Sequence, residues 1–279
     1  MYNGDKIMKK KGFIGYGNMG KVILDAFLLS GSLRPYEVLV STRTRSKLNK
    51  LKKKYPEIEI VDENSLIALK SNLIFLFVGT SDVKYVLEEI KEFNSDNTHI
   101  VYISAGLTID NVQRIFNGKI TKVMPSLTSK VLEGITLICH NSAVTNEEAQ
   151  YINTLFNSIG EVKIIDEEDF DIGSEITSCL PAFIADICMK FAQTATRNSG
   201  FSHEETEEMV IKTLYGTSKL LYEKNMGFDE VISSVATKGG ITEVGIDYLD
   251  KEIPEIFNEL FSITIEKHAI IKRELKQLY

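Results

Sequence analysis

Apolar positions along the first 165 residues switch repeatedly between two periods. A short run, Gly12-Phe13-Ile14, leads into Gly15, and Met19, Val22, Ile23, Ala26 and Phe27 then recur at helical spacing. The pattern predicts further strands at 38–40, 58–61, 73–78, 100–104, 120–124, 135–139 and 161–165. Helices are predicted at 46–54, 82–93, 109–116 and 147–159. The run Leu73-Ile74-Phe75-Leu76-Phe77-Val78 has no polar face, as a central parallel strand covered on both sides requires. Such alternation implies a mostly parallel, doubly wound sheet with right-handed crossovers.

After residue 165 the strand pattern stops. Helical segments are predicted at 170–199, 203–223, 229–235, 242–249 and 254–278, with Pro181 inside the first or near a break in it. Ser202 is placed to cap the second, with Glu205 as its reciprocal partner. Residues 183–195 are apolar or small around much of the helix, so other helices must cover them. That many apolar faces in one segment point to a core shared with a second copy, a helical dimer interface. Residues 1–165 and 166–279 are the two expected domains.

The chemistry is concentrated at the first turn. Gly15-Tyr16-Gly17-Asn18-Met19-Gly20 fits G-x-G-x-x-G between an apolar strand and a helix-period segment, the dinucleotide-binding context of a Rossmann domain. Gly15 serves the tight turn, Gly17 lets a pyrophosphate approach the backbone, and Gly20 lets the helix pack on the strand. Asn18 and Met19 contribute unpaired amides of the helix start. The second strand runs into Ser41-Thr42-Arg43-Thr44-Arg45 with no acidic residue to grip a ribose 2′-hydroxyl. Hydroxyls and a guanidinium suit a 2′-phosphate, so NADPH is preferred over NADH, with Arg43 the first contact and Ser41 and Thr42 assisting. Small residues at later strand ends, Val78-Gly79-Thr80 and Ser104-Ala105-Gly106, let the cofactor lie against the backbone. Far downstream, Thr237-Lys238-Gly239-Gly240-Ile241-Thr242 opens a helix with consecutive glycine amides, an anion nest suited to a carboxylate.

Composition narrows the partners. With 32 Lys and Arg against 39 Asp and Glu, the net charge of -7 offers no global cationic field for nucleic acid. The local runs Lys9-Lys10-Lys11 and Lys52-Lys53-Lys54 read as a strand flank and a solvated helix face. Three cysteines without C-x-x-C spacing read as reduced thiols of a cytoplasmic protein. The four histidines form no ligand pair at helical spacing, and no metal is expected. No apolar run approaches the ~18 residues needed to cross a membrane. Residues 1–7 are polar and Met8 is an alternative start, so that segment is expected to fray.

The whole chain resembles the pyrroline-5-carboxylate reductase family. The resemblance rests on residues 12–19, on Ser104-Ala105-Gly106-Leu107-Thr108-Ile109, and on Val123-Met124-Pro125, Glu133-Gly134 and Gly239-Gly240-x-Thr242. It implies a Rossmann domain followed by a helical dimerisation domain, and reduction of a cyclic imine carboxylate to proline with NAD(P)H. It implies a homodimer that can assemble further, and it adds Met124 and Pro125 to the cofactor side. Gly239, Gly240 and Ile241 would hold the substrate carboxylate beside Lys238, and Thr242 would place its hydroxyl near the imine nitrogen. The chain departs from the family at Ser126-Leu127-Thr128, at Thr177-Ser178-Cys179-Leu180-Pro181, at Lys238 and at Gly79-Thr80. Two rival readings are a β-hydroxyacid dehydrogenase using Lys190 and a non-catalytic NADP(H)-binding paralogue. A coenzyme F420-type reductase is a further relative, but one that usually lacks the long helical second domain.

Overall fold

The computed structural model describes residues 10–95 and 97–279. The expected fraying of residues 1–7, the alternative start at Met8 and the first lysine of the basic run at Lys9 lie outside them. The chain forms two compact units, one running to Ser178 and taking in Ile265–Tyr279, the other Cys179–Thr264.

In chain order the first unit contains β1 (Lys10–Ile14), α1 (Asn18–Ser30), β2 (Val38–Ser41), α2 (Leu48–Lys54), β3 (Glu59–Ile60), α3 (Asn64–Lys70), β4 (Ser71–Leu76) and α4 (Val83–Ile90). It continues with β5 (His99–Ile103), α5 (Ile109–Gln113), β6 (Lys119–Met124), β7 (Gly134–His140), α6 (Asn146–Asn157), β8 (Gly160–Ile164) and α7 (Phe170–Ser174). The strands form one sheet in the order β3-β2-β1-β4-β5-β6-β7-β8. All neighbours are parallel except β6 and β7, which run antiparallel. The mostly parallel, doubly wound sheet expected from the apolar pattern is thus present, with its far edge reversed.

Two apolar layers sandwich the sheet. On one face, Ile23 and Phe27 of α1, Leu51 of α2 and Phe156 of α6 pack with Phe13 and Phe75. The last two face each other in register on β1 and β4, their rings stacked at 4.5 Å. On the other face Ile67 of α3, Leu87 of α4 and Val112 of α5 pack with Ile74, Ile100 and Leu275. Leu275 comes from the final helix, whose end belongs to this unit. Phe170 of α7 closes over Met124 and Leu137. These contacts move the boundary from the expected residue 165 to Ser178, with a second crossing at Ile265. The strand pattern ends at 165, but the apolar residues that cover the sheet do not.

The second unit is helical: α8 (Leu180–Arg197), α9 (His203–Tyr222), α10 (Phe228–Val235) and the larger part of α11 (Ile241–Lys276). Ser202 caps α9 by accepting from the Glu205 amide, and Glu205 reaches back to the Ser202 amide. The two C-terminal helices expected on either side of Pro254 are one helix. Pro254 removes the bond to the Asp250 carbonyl, but Asp250 is exposed, so water can take that carbonyl. Pro181 likewise ends nothing, because the π-helical turn Glu175–Cys179 places it at the start of α8. The helical stretch Glu167–Arg197 is therefore long and apolar enough by composition to cross a bilayer, against expectation. The same length and composition suit a helix covered by other helices. Within Cys179–Thr264 only Ala192 and Thr206 are buried, while Phe191, Ile211, Phe228 and Val244 are exposed.

Local charges differ from the simplest reading. Lys10 and Lys11 lie within β1, not beside it, and pair with Glu59 and Glu37. Among the described residues no three His, Cys, Asp or Glu side chains converge to hold a metal.

On β5, β6 and β7 the buried His99 and Thr121 and the half-buried His140 form a hydrogen-bonded chain. The Thr121 hydroxyl lies 2.7 Å from His99 Nε2 and 2.7 Å from His140 Nδ1. A hydroxyl has one proton, so it donates to one ring and accepts from the other. Burial pushes His99 down to about 4 and lowers His140 as well. A histidine held neutral in the fold contributes stability that is complete above its unfolded value of roughly 6.5 and is lost as pH falls toward 4. We expect His99 alone to remove about 2 kcal/mol between pH 7 and pH 5. Urea unfolding at the two pH values checks this. The loss should shrink in a His99→Gln variant, and an equal loss in both proteins would contradict it.

Candidate cofactor and substrate site

The end of β1 is held from both sides. The Gly15 amide donates to the Ser41 carbonyl and the Phe77 amide to the Ile14 carbonyl, each at 2.9 Å. The turn therefore stands at the C-terminal ends of β1, β2 and β4, where ligands of open α/β sheets bind. Gly15 has φ 102°, and a Cβ there would lie 2.4 Å from the Phe77 carbonyl oxygen. Gly20, in the first turn of α1, would carry its Cβ 2.4 Å from the Gly15 carbonyl oxygen. Gly17 faces open space. Two glycines thus let the chain pack and the third leaves room above the helix start, which fits a pyrophosphate. Asn18 is exposed at that start, and the Met19 side chain packs into the core beneath it. Tyr16 is locked inward, its hydroxyl donating to Asp25 at 2.8 Å; burial and that carboxylate raise its ionisation well above the ordinary range.

Gly15, Gly17, Thr42, Arg43, Val78 and Gly79 line one cleft of about 340 Å³, so the structure brings these six of the expected cofactor residues together. Arg43 is 87% exposed at its mouth, its guanidinium 3.3 Å from the Asp82 carboxylate. Lys47 lines the same cleft. Ser41 does not. It is buried, and its hydroxyl donates to Asn64 Oδ1 at 2.6 Å. Asn64 lines the cleft instead, its amide donating to Glu89 at 2.8 Å. The sequence reading missed Asn64 because it missed α3, of which Asn64 is the first residue.

Further along the rim the Thr80 and Ser104 hydroxyls lie 3.1 Å apart, and Ser104 accepts the Leu107 amide at 3.1 Å. Ala105 packs against the Met124, Leu137 and Phe170 cluster. Gly106 turns elsewhere: a Cβ there would lie 2.7 Å from Ile271 Cγ2. Its small size serves packing against the final helix. Met124 is buried, and the Pro125 carbonyl accepts the Ser178 hydroxyl at 3.2 Å.

The carboxylate loop belongs to the second unit. Gly239 has φ 74°, a left-handed turn that glycine permits. Its amide donates to the Glu243 carboxylate at 2.6 Å, and the Gly240 amide donates to the Thr237 carbonyl at 2.8 Å. Both glycine amides expected to receive a substrate are thus engaged within the loop. Lys238, Ile241 and Thr242 are exposed. Lys190 is exposed on α8 and paired with Asp186.

A strand–glycine turn–helix with a basic side chain at the mouth of its cleft is the arrangement of a dinucleotide-binding site, and the relatives are nicotinamide-dinucleotide oxidoreductases. The chain belongs to the pyrroline-5-carboxylate reductase family. It is 34% identical to pyrroline-5-carboxylate reductase 3 of Bacillus subtilis (strain 168), across 96% of this chain and 98% of that one. It is 32% identical to pyrroline-5-carboxylate reductase of Methanobrevibacter smithii, across 86% of this chain and 96% of that one. Residues 167–270 match the family described as pyrroline-5-carboxylate reductase dimerisation. Residues 10–106 match that described as NADP oxidoreductase coenzyme F420-dependent. The fold is that of Plasmodium falciparum pyrroline carboxylate reductase, solved with NADP bound: TM-score 0.82, 24% identity, 94% of this chain and 98% of that one covered.

A 2′-phosphate at the mouth of this cleft would be attracted by Arg43 and repelled by Asp82. Arg43→Ala is expected to weaken NADPH by about 10- to 100-fold while moving NADH by less than about threefold. Asp82→Asn is expected to tighten NADPH by freeing the guanidinium. Fluorescence titration of both cofactors reads these changes, and equal losses for NADPH and NADH in Arg43→Ala would place the phosphate elsewhere.

Proposed function

We propose that the protein reduces 1-pyrroline-5-carboxylate to proline with NADPH, NADH serving less well, in cytoplasmic proline biosynthesis. The observation that carries this is the 34% identity spanning nearly the full length of both chains. The three scattered cysteines fit a reducing compartment.

NADPH, when bound, supplies the hydride. The rest falls to the chain. The start of α1 and Gly17 receive the pyrophosphate, and Arg43, Lys47 and Thr42 receive the 2′-phosphate. The imine carbon accepts hydride while the nitrogen takes or keeps a proton, so no strong base is required. Thr242 hydrogen-bonds the nitrogen, and the loop of Lys238, Gly239, Gly240 and Ile241 takes the carboxylate. That carboxylate replaces Glu243 on the Gly239 amide.

The working form is a homodimer. An exposed Phe191, Phe228 and Ile211 on helices with almost nothing buried between them need a second copy to cover them. The match to a dimerisation domain supports this. A dehydrogenase acting through Lys190 is disfavoured, because that ammonium is solvent-exposed and already paired along its own helix.

Purified protein with pyrroline-5-carboxylate should oxidise NADPH, followed by absorbance. Turnover of 3-hydroxy acids with NADP+ would transfer the reading to a dehydrogenase, and tight NADPH binding without turnover to a non-catalytic paralogue. Thr242→Ala should lower kcat/KM by about 10- to 100-fold. Glu243→Ala should move KM the other way, lowering it several-fold, since an internal competitor for the Gly239 amide is gone. A raised KM in that variant would mean Glu243 shapes the loop rather than competing for it.

A further inference from the structure

Two helices of the first unit face each other with acidic and basic side chains at matched spacing. Asp171 and Glu175 stand four residues apart where α7 runs into the π-helical turn, and His268 and Lys272 stand four residues apart near the end of α11. One helical turn separates the members of each pair, so two acids meet two bases across one interface. His268 Nε2 donates to Glu175 Oε1 at 2.9 Å, both residues buried. Lys272 pairs with Asp171, whose other oxygen lies 3.7 Å from His268 Nδ1.

A buried carboxylate–imidazole pair is a poor way to gain stability, because apolar side chains of equal volume do as well or better. This one also leaves Asp171 Oδ1, Glu175 Oε2 and His268 Nδ1 buried without a hydrogen bond. What it gains is a fixed geometry. Glu175 is the first residue of the π-helical turn Glu175–Cys179, a local widening found most often at functional sites. Ser178, near the other end of that turn, donates to the Pro125 carbonyl just beyond the end of β6. β6 follows β4 and β5 in the parallel part of the sheet, and Thr80 and Ser104 line the rim beside it. The turn is thus pinned at one end by the final helix and at the other by the C-terminal rim of the sheet.

We propose that the Glu175–His268 pair is a positioning device, through which the end of the final helix sets the Ser178–Pro125 contact as a wall of the imine subsite. This rests on the reductase reading given above. Neither residue touches the reacting atoms; each acts through the turn.

Single substitutions to apolar residues orphan a buried polar group, so the decisive protein is the double variant Glu175→Met with His268→Leu, which removes both polar groups and keeps much of the volume. It should fold, bind NADPH within about twofold of the parent, and show KM for pyrroline-5-carboxylate raised at least about fivefold, since small misplacements of a substrate wall are costly. Without any substrate, amide exchange of residues 175–180 should accelerate at least about tenfold. Glu175→Gln, which still accepts from His268, should restore the parental KM. A double variant with parental KM and kcat, or with unchanged exchange, overturns the proposal. If the parent protein reduces no pyrroline-5-carboxylate, the reductase reading fails, and the exchange measurement alone decides whether the pair anchors the turn.

Discussion

Everything on the cofactor side depends on how closely the backbone passes itself at the end of β1. The parallel register sets Ile14 against Leu76, so the residue after Ile14 must pass directly over the Phe77 carbonyl. Only a residue without a side chain fits there at φ 102°, and only another fits where α1 folds back over Gly15. With those two approaches fixed, α1 starts with its amides facing the C-terminal rim. Tyr16 is then committed to Asp25, and the cleft opens between the ends of β1, β2 and β4. A methyl group at Gly15 would disturb the sheet, the helix and the cleft together.

Much of this was legible because buried parallel strands are written in uninterrupted apolar runs. β4 and β1 were evident, and β3, two residues long, only as part of a longer apolar stretch. α3 was invisible for a different reason: Lys70 ends the helix and Ser71 begins β4, with no turn residue to mark the change. Losing α3 also lost Asn64, and with it the partner that draws the Ser41 hydroxyl out of the cleft. Proline misled in the other direction. Pro181 follows a π-helical turn and Pro254 frees a carbonyl that faces water, so neither interrupts its helix. Gly106 shows the limit of reading small residues as ligand contacts, since a close helix asks for the same side chain.

The helical unit differs from the sheet in where its stability must come from. The sheet buries its aromatic residues within one copy: Phe13, Phe27, Phe75 and Phe156 touch one another and little else is needed. The helices of Cys179–Thr264 leave their large apolar residues outward and bury only an alanine and a threonine. That unit therefore takes little of its stability from burial within one copy, and it falls within residues 167–270, which match a dimerisation domain.

The Gly239 amide holds a carboxylate that belongs to the chain itself. A ligand tethered a few residues away is present at a fixed effective concentration, on the order of millimolar for short flexible links, whatever the dilution of the protein. An incoming carboxylate must outcompete that constant occupant or offer contacts the glutamate lacks. A bare small acid has only its charge to bid with, whereas a ring that also reaches a hydroxyl and a stacked face has more. Under the proposed reading Glu243 would act as a threshold, screening the solution's many simple carboxylates before any chemistry begins.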